Sequence, residues 1–157
     1  HYKNIDTLNP QRIIRSLEVC IITGKPYSTF LSNSTKKRSF SNLKFLLFLD
    51  KEILYNNINL RVDKMIKDGL IEEVESLKNL KNLNALNTVG YKEIFNYLNG
   101  KTDKKSAIEQ IKTNTKKYSK RQMTWFKKDP SYQWINNTDI EKSRKSILKK
   151  IKEFKYD

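Results

Sequence analysis

A basic and aromatic segment in the C-terminal third of the chain carries the residues best suited to chemistry. Residues 101–128 include ten basic and two acidic side chains, and Lys112, Lys116 and Lys120 repeat every four residues. This spacing places three ammonium groups on one face of a helix. Such a face could neutralise nucleic-acid phosphates while aromatic rings stack on bases, although a solvated helix face explains the charges equally well. The neighbouring rings are Tyr118, Trp125 and Phe126.

Arg61 is a second residue whose side chain could take part in binding or catalysis. It lies at the edge of an apolar stripe formed by Leu54, Ile58 and Met65. A guanidinium has five N–H donors that need acceptors. A structural ion pair is the usual solution for an arginine in this position, and a bound phosphate or pyrophosphate is the alternative.

Two shorter patterns could also contact a nucleic acid. In the first, Gln11 and Arg15 lie one helical turn apart with Arg12 beside them, and an amide with guanidinium groups can read a base edge and hold a phosphate. The second, residues 89–92, combines a glycine that permits close backbone approach with a tyrosine and a lysine. Either pattern alone is also typical of a solvated helix or a helix start.

Composition limits the possible classes of protein. The 157 residues include 32 Lys and Arg against 17 Asp and Glu, a net charge of +15, which favours a polyanionic partner, although a bias toward Lys could give the same charge. One cysteine, Cys20, and one histidine, His1, exclude a disulfide framework and make a Cys or His metal site or a Ser-His-Asp triad unexpected. No apolar run reaches the roughly 18–20 residues of a membrane span. The sequence has no phosphate-binding GxxxxGK[ST] loop and no evident general base or nucleophile.

The elements that must position these residues are mostly helices. Strands are predicted at 43–49 and 132–135, and two strands so far apart are expected to belong to a larger sheet. The aperiodic stretch 32–42 predicts a loop or domain boundary. Helices are predicted between Asn9 and Gly24, from Asp50 to Gly69, at 70–80, 91–98 and 103–127, and from a capping box at Thr138–Glu141 onward. The stripe expected to pack on the longest helix comprises Ile108, Ile111, Thr115, Tyr118, Gln122 and Trp125.

Four stretches, taken in order, resemble the C-terminal half of the tRNA dimethylallyltransferase (isopentenyl transferase) family. They are NPQRIIRSLEVCIITGKPYS (9–28), LRVDKMIKDGLIEEVESL (60–77), NTVGYKEIFNYLNG (87–100) and IKTNTKKYSKRQMTWFKK (111–128). The resemblance implies the C-terminal part of an α/β phosphate-loop core plus the end of a helical insertion domain. Residues 1–40 would be the end of that tRNA-gripping insertion, and residues 41–157 the last part of the core.

The resemblance also implies an activity. Members of the family transfer a dimethylallyl group from dimethylallyl pyrophosphate to N6 of the adenosine just 3′ of the tRNA anticodon, and they use Mg²⁺. The phosphate loop and catalytic aspartate of the family lie in its N-terminal half, so we expect this chain to be inactive alone, with the Mg²⁺ ligands mostly outside it. A cytoplasmic monomer that binds the tRNA anticodon stem-loop, with no membrane association, is expected.

Residue roles follow from the same resemblance. Arg61 matches an arginine that faces the pyrophosphate. The positions that match tRNA-contacting segments are Gln11, Arg12, Arg15, Thr88, Gly90, Tyr91, Lys92, Lys120, Arg121, Gln122, Thr124, Trp125 and Lys127. The alternatives are a stand-alone helical RNA-binding module without catalysis and a Lys-rich interaction protein with no nucleic-acid role.

Overall fold

The computed structural model of the chain describes residues 8–31 and 39–154. The chain divides into two compact units, His1–Ser41 and Asn42–Asp157, which are described separately below. Most of the stretch predicted as a loop at 32–42 lies outside the described residues.

The described residues of the first unit include a long helix, α1 (Pro10–Thr23). The helix begins where the sequence predicts. The Asn9 side chain accepts a hydrogen bond from the Arg12 backbone N–H, and proline occupies the first helical position. Gly24 ends it in a left-handed conformation with a φ of 64°. A short 3₁₀ turn follows at Tyr27–Phe30.

A two-stranded parallel sheet lies in the second unit. Strands β1 (Lys44–Phe48) and β2 (Tyr132–Asn136) pair directly, with Lys44 opposite Tyr132 and Phe48 opposite Asn136. Parallel strands need a long crossover connection, and four helices supply it. The prediction of a mostly helical chain with two short strands is therefore confirmed.

The crossover helices form the hydrophobic core. Buried side chains from each of them meet there: Val62, Val74, Ile94 and Ile111 are between 0% and 3% exposed. The helix predicted at 70–80 ends earlier, and its last residues form a 3₁₀ turn. The helices are α2 (Lys51–Lys67), α3 (Leu70–Ser76), α4 (Tyr91–Leu98) and α5 (Lys104–Phe126), with 3₁₀ turns at Lys78–Leu80 and Asn84–Leu86.

Helix α6 (Ile140–Glu153) follows β2 and packs beside it. The predicted capping box is wrong in its cap residue. Asp139 caps the helix by accepting from the Lys142 backbone N–H at 3.0 Å, whereas the Thr138 hydroxyl donates to the Asn136 side chain at 2.6 Å and is already engaged. Among the helices of the described ranges, none combines the length and apolar character that crossing a membrane requires.

Candidate nucleic-acid interface

The C-terminal half of α5 is less covered by neighbouring elements than its N-terminal half. Ala107 and Ile111, in the first half of the helix, are buried, whereas Tyr118 and Trp125 are 51% and 63% exposed. The predicted packing stripe therefore packs in its first half only. The physical reason is that a periodic pattern marks a face of the helix but does not reveal where the neighbouring helices stop covering it.

Basic and aromatic groups surround an open recess of ≈ 460 Å³ on this exposed part of α5. The guanidinium of Arg121 lies over the Tyr118 ring, 5.6 Å from its centroid, so the ring orients the cation. Within the described ranges, no carboxylate forms an ion pair with a cation of this recess. The recess is lined by Lys117, Lys120, Arg121, Thr124, Trp125 and Lys128.

The predicted three-lysine face is only partly available to a ligand. Lys112 is 15% exposed and bridges helices by contacting Asp63 at 2.8 Å and Glu109 at 3.2 Å. The hydrogen bond to Asp63 is the main cause that raises the pKa of Lys112. Lys116 lies over the Tyr55 ring, 5.5 Å from its centroid. Lys112 therefore holds α5 against α2, which fits neither the phosphate-binding face nor the solvated face that the spacing left open.

A second recess, of ≈ 600 Å³, lies on the other side of the same helical turns. Gln122 and Lys127 line it together with the apolar end of β1. Lys120 lines both recesses. The structure thus separates the predicted α5 site residues: Arg121, Thr124 and Trp125 line the basic recess, whereas Gln122 and Lys127 do not.

The segment 88–92 is fixed to the middle of α5 by a buried carboxylate. Gly90 has a φ of 105° and a ψ of −64°, a conformation that side-chain-bearing residues rarely adopt. Its N–H donates to Glu93 Oε2 at 2.8 Å, and Asn114 Nδ2 on α5 donates to Glu93 Oε1 at 2.6 Å. Because Glu93 is only 3% exposed, these two donors satisfy a charge that would otherwise be costly to bury.

The side chains within this segment have different surroundings. The Tyr91 hydroxyl donates to Glu73, and this hydrogen bond raises the pKa of Tyr91. The Tyr91 ring also packs against the hydrophobic core. In contrast, Thr88 and Lys92 are exposed. Lys92 is therefore the residue of this segment that is most accessible to a phosphate.

Arg61 occupies an exposed position on α2. In the part of the chain that the structure describes, it forms neither an ion pair nor a hydrogen bond through its side chain. The structural ion pair that the sequence left open is thus not observed among those residues. The guanidinium remains accessible to an anion.

The three predicted residues of the first unit lie on the first turns of α1. Gln11, Arg12 and Arg15 are all exposed. Arg15 forms a salt bridge of 3.2 Å with Glu18, one turn further along the helix. Exposed pairs of this kind are weak and exchange readily with other ions, so the Arg15 guanidinium remains able to contact a phosphate.

Sequence reasoning missed the Glu93–Asn114 connection. A signal for it exists, because a glutamate three residues after a helix-starting residue is typical of a capping box. The Asn114 partner has no such signal, since it depends on how α4 and α5 pack.

Residues 8–31 and 39–154 contain no cluster of three His, Cys, Asp or Glu side chains that could hold a metal ion. We therefore assign no Mg²⁺ site to them.

Comparison with known proteins gives a consistent result. A family model described as IPP transferase matches residues 1–129. The tRNA dimethylallyltransferase of Christiangramia forsetii is 49% identical over 148 residues, covering 94% of this chain and 48% of that protein. The tRNA dimethylallyltransferase 1 of Bacteroides fragilis is 49% identical over 136 residues, covering 87% of this chain and 45% of that protein.

Solved structures agree with the sequence relatives. The crystal structure of the full-length tRNA isopentenylpyrophosphate transferase of Bacillus halodurans has a TM-score of 0.66 at 32% identity, covering 94% of this chain and 46% of that one. The corresponding structure from Staphylococcus epidermidis has a TM-score of 0.67 at 28% identity, covering 97% and 52%. The chain therefore spans about half the length of the relatives it matches. On this family match and these identities, the chain belongs to the IPP transferase family.

Proposed function

We propose that this chain supplies the tRNA-binding part of a tRNA dimethylallyltransferase. The reaction is transfer of a dimethylallyl group from dimethylallyl pyrophosphate to N6 of the adenosine 3′ of the anticodon. The observation that carries the proposal is Trp125, 63% exposed in a recess lined by lysines and Arg121. Exposed tryptophan beside unpaired cations is a combination that binds RNA by stacking and charge neutralisation.

The side chains that line the recess are suited to bind an adenosine that has left its base stack. The reacting nitrogen of an adenine is accessible only when the base leaves its stack. Lys117, Lys120 and Lys128 would neutralise the phosphates on either side of the target, while the Trp125 ring replaces part of the lost stacking. Arg121, oriented by the Tyr118 ring, would add a planar contact to a phosphate or a base.

The other predicted residues would add further contacts with tRNA. In the proposed arrangement Lys92 contacts a phosphate beside α5, because the Glu93–Asn114 bond holds its segment there. The cations of α1, Arg12 and Arg15, would contact tRNA from the first unit, which we assign to the end of the helical insertion. The second unit would be the last part of the transferase core.

Arg61 is proposed to face the pyrophosphate. Its exposed guanidinium, which has no ion-pair partner in the described ranges, is suited to stabilise the negative charge that develops on a leaving pyrophosphate. In a complete transferase, Arg61→Ala should reduce turnover more than tRNA affinity. A loss of tRNA affinity with unchanged turnover would refute this role.

The transfer reaction tests the proposal as a whole. Dimethylallyl transfer to a tRNA anticodon stem-loop is measured with this chain alone and with the chain joined to the N-terminal half of the Christiangramia forsetii relative. We expect transfer only by the joined protein, and we expect Arg121→Ala to weaken it. Absence of transfer by both proteins, with stem-loop binding retained, would instead support a stand-alone RNA-binding module.

A further inference from the structure

A separate polar recess lies beside α4, away from the C-terminal half of α5. It has a volume of ≈ 420 Å³ and is bounded by the turns that follow α3, by α4 and by the residues just after α4. Its lining includes five asparagines and three lysines, and it includes no acidic residue. Protein surfaces normally carry charges of both signs interspersed, whereas the charged residues that line this recess are all basic.

The three lysines reach the recess from different elements. Lys81 follows the 3₁₀ turn at Lys78–Leu80, Lys92 lies on α4, and Lys101 lies three residues after the end of α4. Across the described ranges none of them forms a salt bridge or a side-chain hydrogen bond. Like charges that line one recess without a counter-charge repel one another, and an anion bound in the recess would relieve that repulsion.

The asparagines and the apolar side chains that line the recess indicate what kind of anion it would bind. The asparagine side chains, Asn84 and Asn96 among them, form no side-chain hydrogen bond with other described residues. Amides with free donors and acceptors can contact ribose hydroxyls and base edges. Phe95, which is 8% exposed, also lines the recess and adds an apolar surface to it.

We propose that this recess is a second RNA subsite that binds the ribose-phosphate backbone, with Lys81 and Lys101 contacting phosphates and the asparagines contacting sugars or bases. The proposal rests on the proposed function, because it extends the tRNA-binding surface beyond Lys92. Lys92 belongs to both the proposed tRNA-binding surface and this recess. It lies on α4 in the segment that Glu93 anchors to α5, and it also lines the recess.

The test compares two double variants that remove the same charge. Affinity for an anticodon stem-loop RNA is measured by fluorescence anisotropy across a series of salt concentrations for the 157-residue chain, K81Q/K101Q and the control K67Q/K145Q. The control lysines are exposed and line none of the three recesses. Loss of two phosphate contacts should make the log–log salt slope shallower by about 1.4–1.8, at roughly 0.7–0.9 per contact.

The asparagines provide an independent measurement. The variant N84A/N96A should lower affinity several-fold at every salt concentration and leave the slope unchanged, because neutral contacts release no counterions. Circular dichroism should show unchanged helix content in all variants. An equal slope change in K81Q/K101Q and the control would overturn the subsite. A flat salt dependence for the unmodified chain would instead overturn the proposed function.

Discussion

Asn114 on α5 donates a hydrogen bond of 2.6 Å to the buried carboxylate of Glu93 on α4. The other oxygen of that carboxylate accepts from the backbone N–H of Gly90. One buried side chain therefore fixes the start of α4 against α5. Lys120 lies six residues beyond Asn114, about 9 Å along the helix axis. Two segments that are separated in sequence, and that are both predicted to contact tRNA, are thus linked through one buried side chain.

Removing the Glu93 carboxylate should destabilise the second unit. Glu93→Ala leaves the Gly90 N–H and the Asn114 amide without their partner, and each of those bonds to a charged group contributes about 1.5–3 kcal/mol. The loss is expected in the free energy of unfolding measured with urea. Glu75→Ala, at an exposed position on α3, is the matched control and should change it by less than about 0.5 kcal/mol. Equal effects of the two substitutions would show that Glu93 has no anchoring role.

Trp125 should contribute to RNA affinity and not to stability. Because the ring is 63% exposed, Trp125→Ala removes little packing, and the free energy of unfolding should hardly change. Loss of a stacking partner should weaken binding of an anticodon stem-loop by about 1–3 kcal/mol. Trp125→Phe should recover part of that loss. A large loss of stability with unchanged RNA affinity would contradict the stacking role.

Two lysines of the same helix should behave differently when neutralised. Lys112→Gln removes the bridge to Asp63 and should lower the free energy of unfolding by up to about 1 kcal/mol, with the salt slope of RNA binding unchanged. Lys120→Gln should leave stability unchanged and reduce the magnitude of that slope by about 0.7–0.9. Urea unfolding and anisotropy titrations measure the two properties separately. The same response from both variants would contradict the division between a structural and an RNA-binding lysine.

Lys112 shows where sequence reasoning reached its limit. Its spacing from Lys116 and Lys120 correctly placed all three on one helix face, because that depends only on helical geometry. The partner that holds Lys112 is Asp63, on a different helix, and no local pattern identifies such a pair. The helices and both strands were predictable from periodicity and caps, whereas the assignment of each lysine depended on tertiary packing.

Trp125 and Tyr118 illustrate the same limit for apolar residues. Helical periodicity grouped them with Ile111 on a stripe expected to pack, yet only Ile111 is buried. The family resemblance nevertheless included Trp125 among the tRNA-contacting positions. The ring is exposed, whereas the stripe alone would have placed it in the core. Its contact with tRNA stays a prediction.

Asp129 should make the thermal stability of the protein depend on pH. Two hydrogen bonds from Ser131 and one of 2.9 Å from Lys44 lower the pKa of Asp129 from 3.8 to about 2. Since the folded-state pKa lies below the ordinary value, the stabilisation is fully present above the ordinary pKa and is lost as the pH falls from about 4 toward 2. Asp129→Asn should therefore lower the Tm at about pH 6, and the gap from the unmodified protein should narrow at about pH 3. A gap that is constant with pH would contradict the lowered pKa.

The measurement that tests the central claim most directly is the affinity of the 157-residue chain for a tRNA anticodon stem-loop across a range of salt concentrations, with Arg121→Ala measured in parallel. We predict a steep negative log–log slope and weaker binding by Arg121→Ala at every salt concentration, because Arg121 lies in the basic recess beside Trp125. Binding that is independent of salt, or equal for the two proteins, would contradict the assignment of this surface to tRNA.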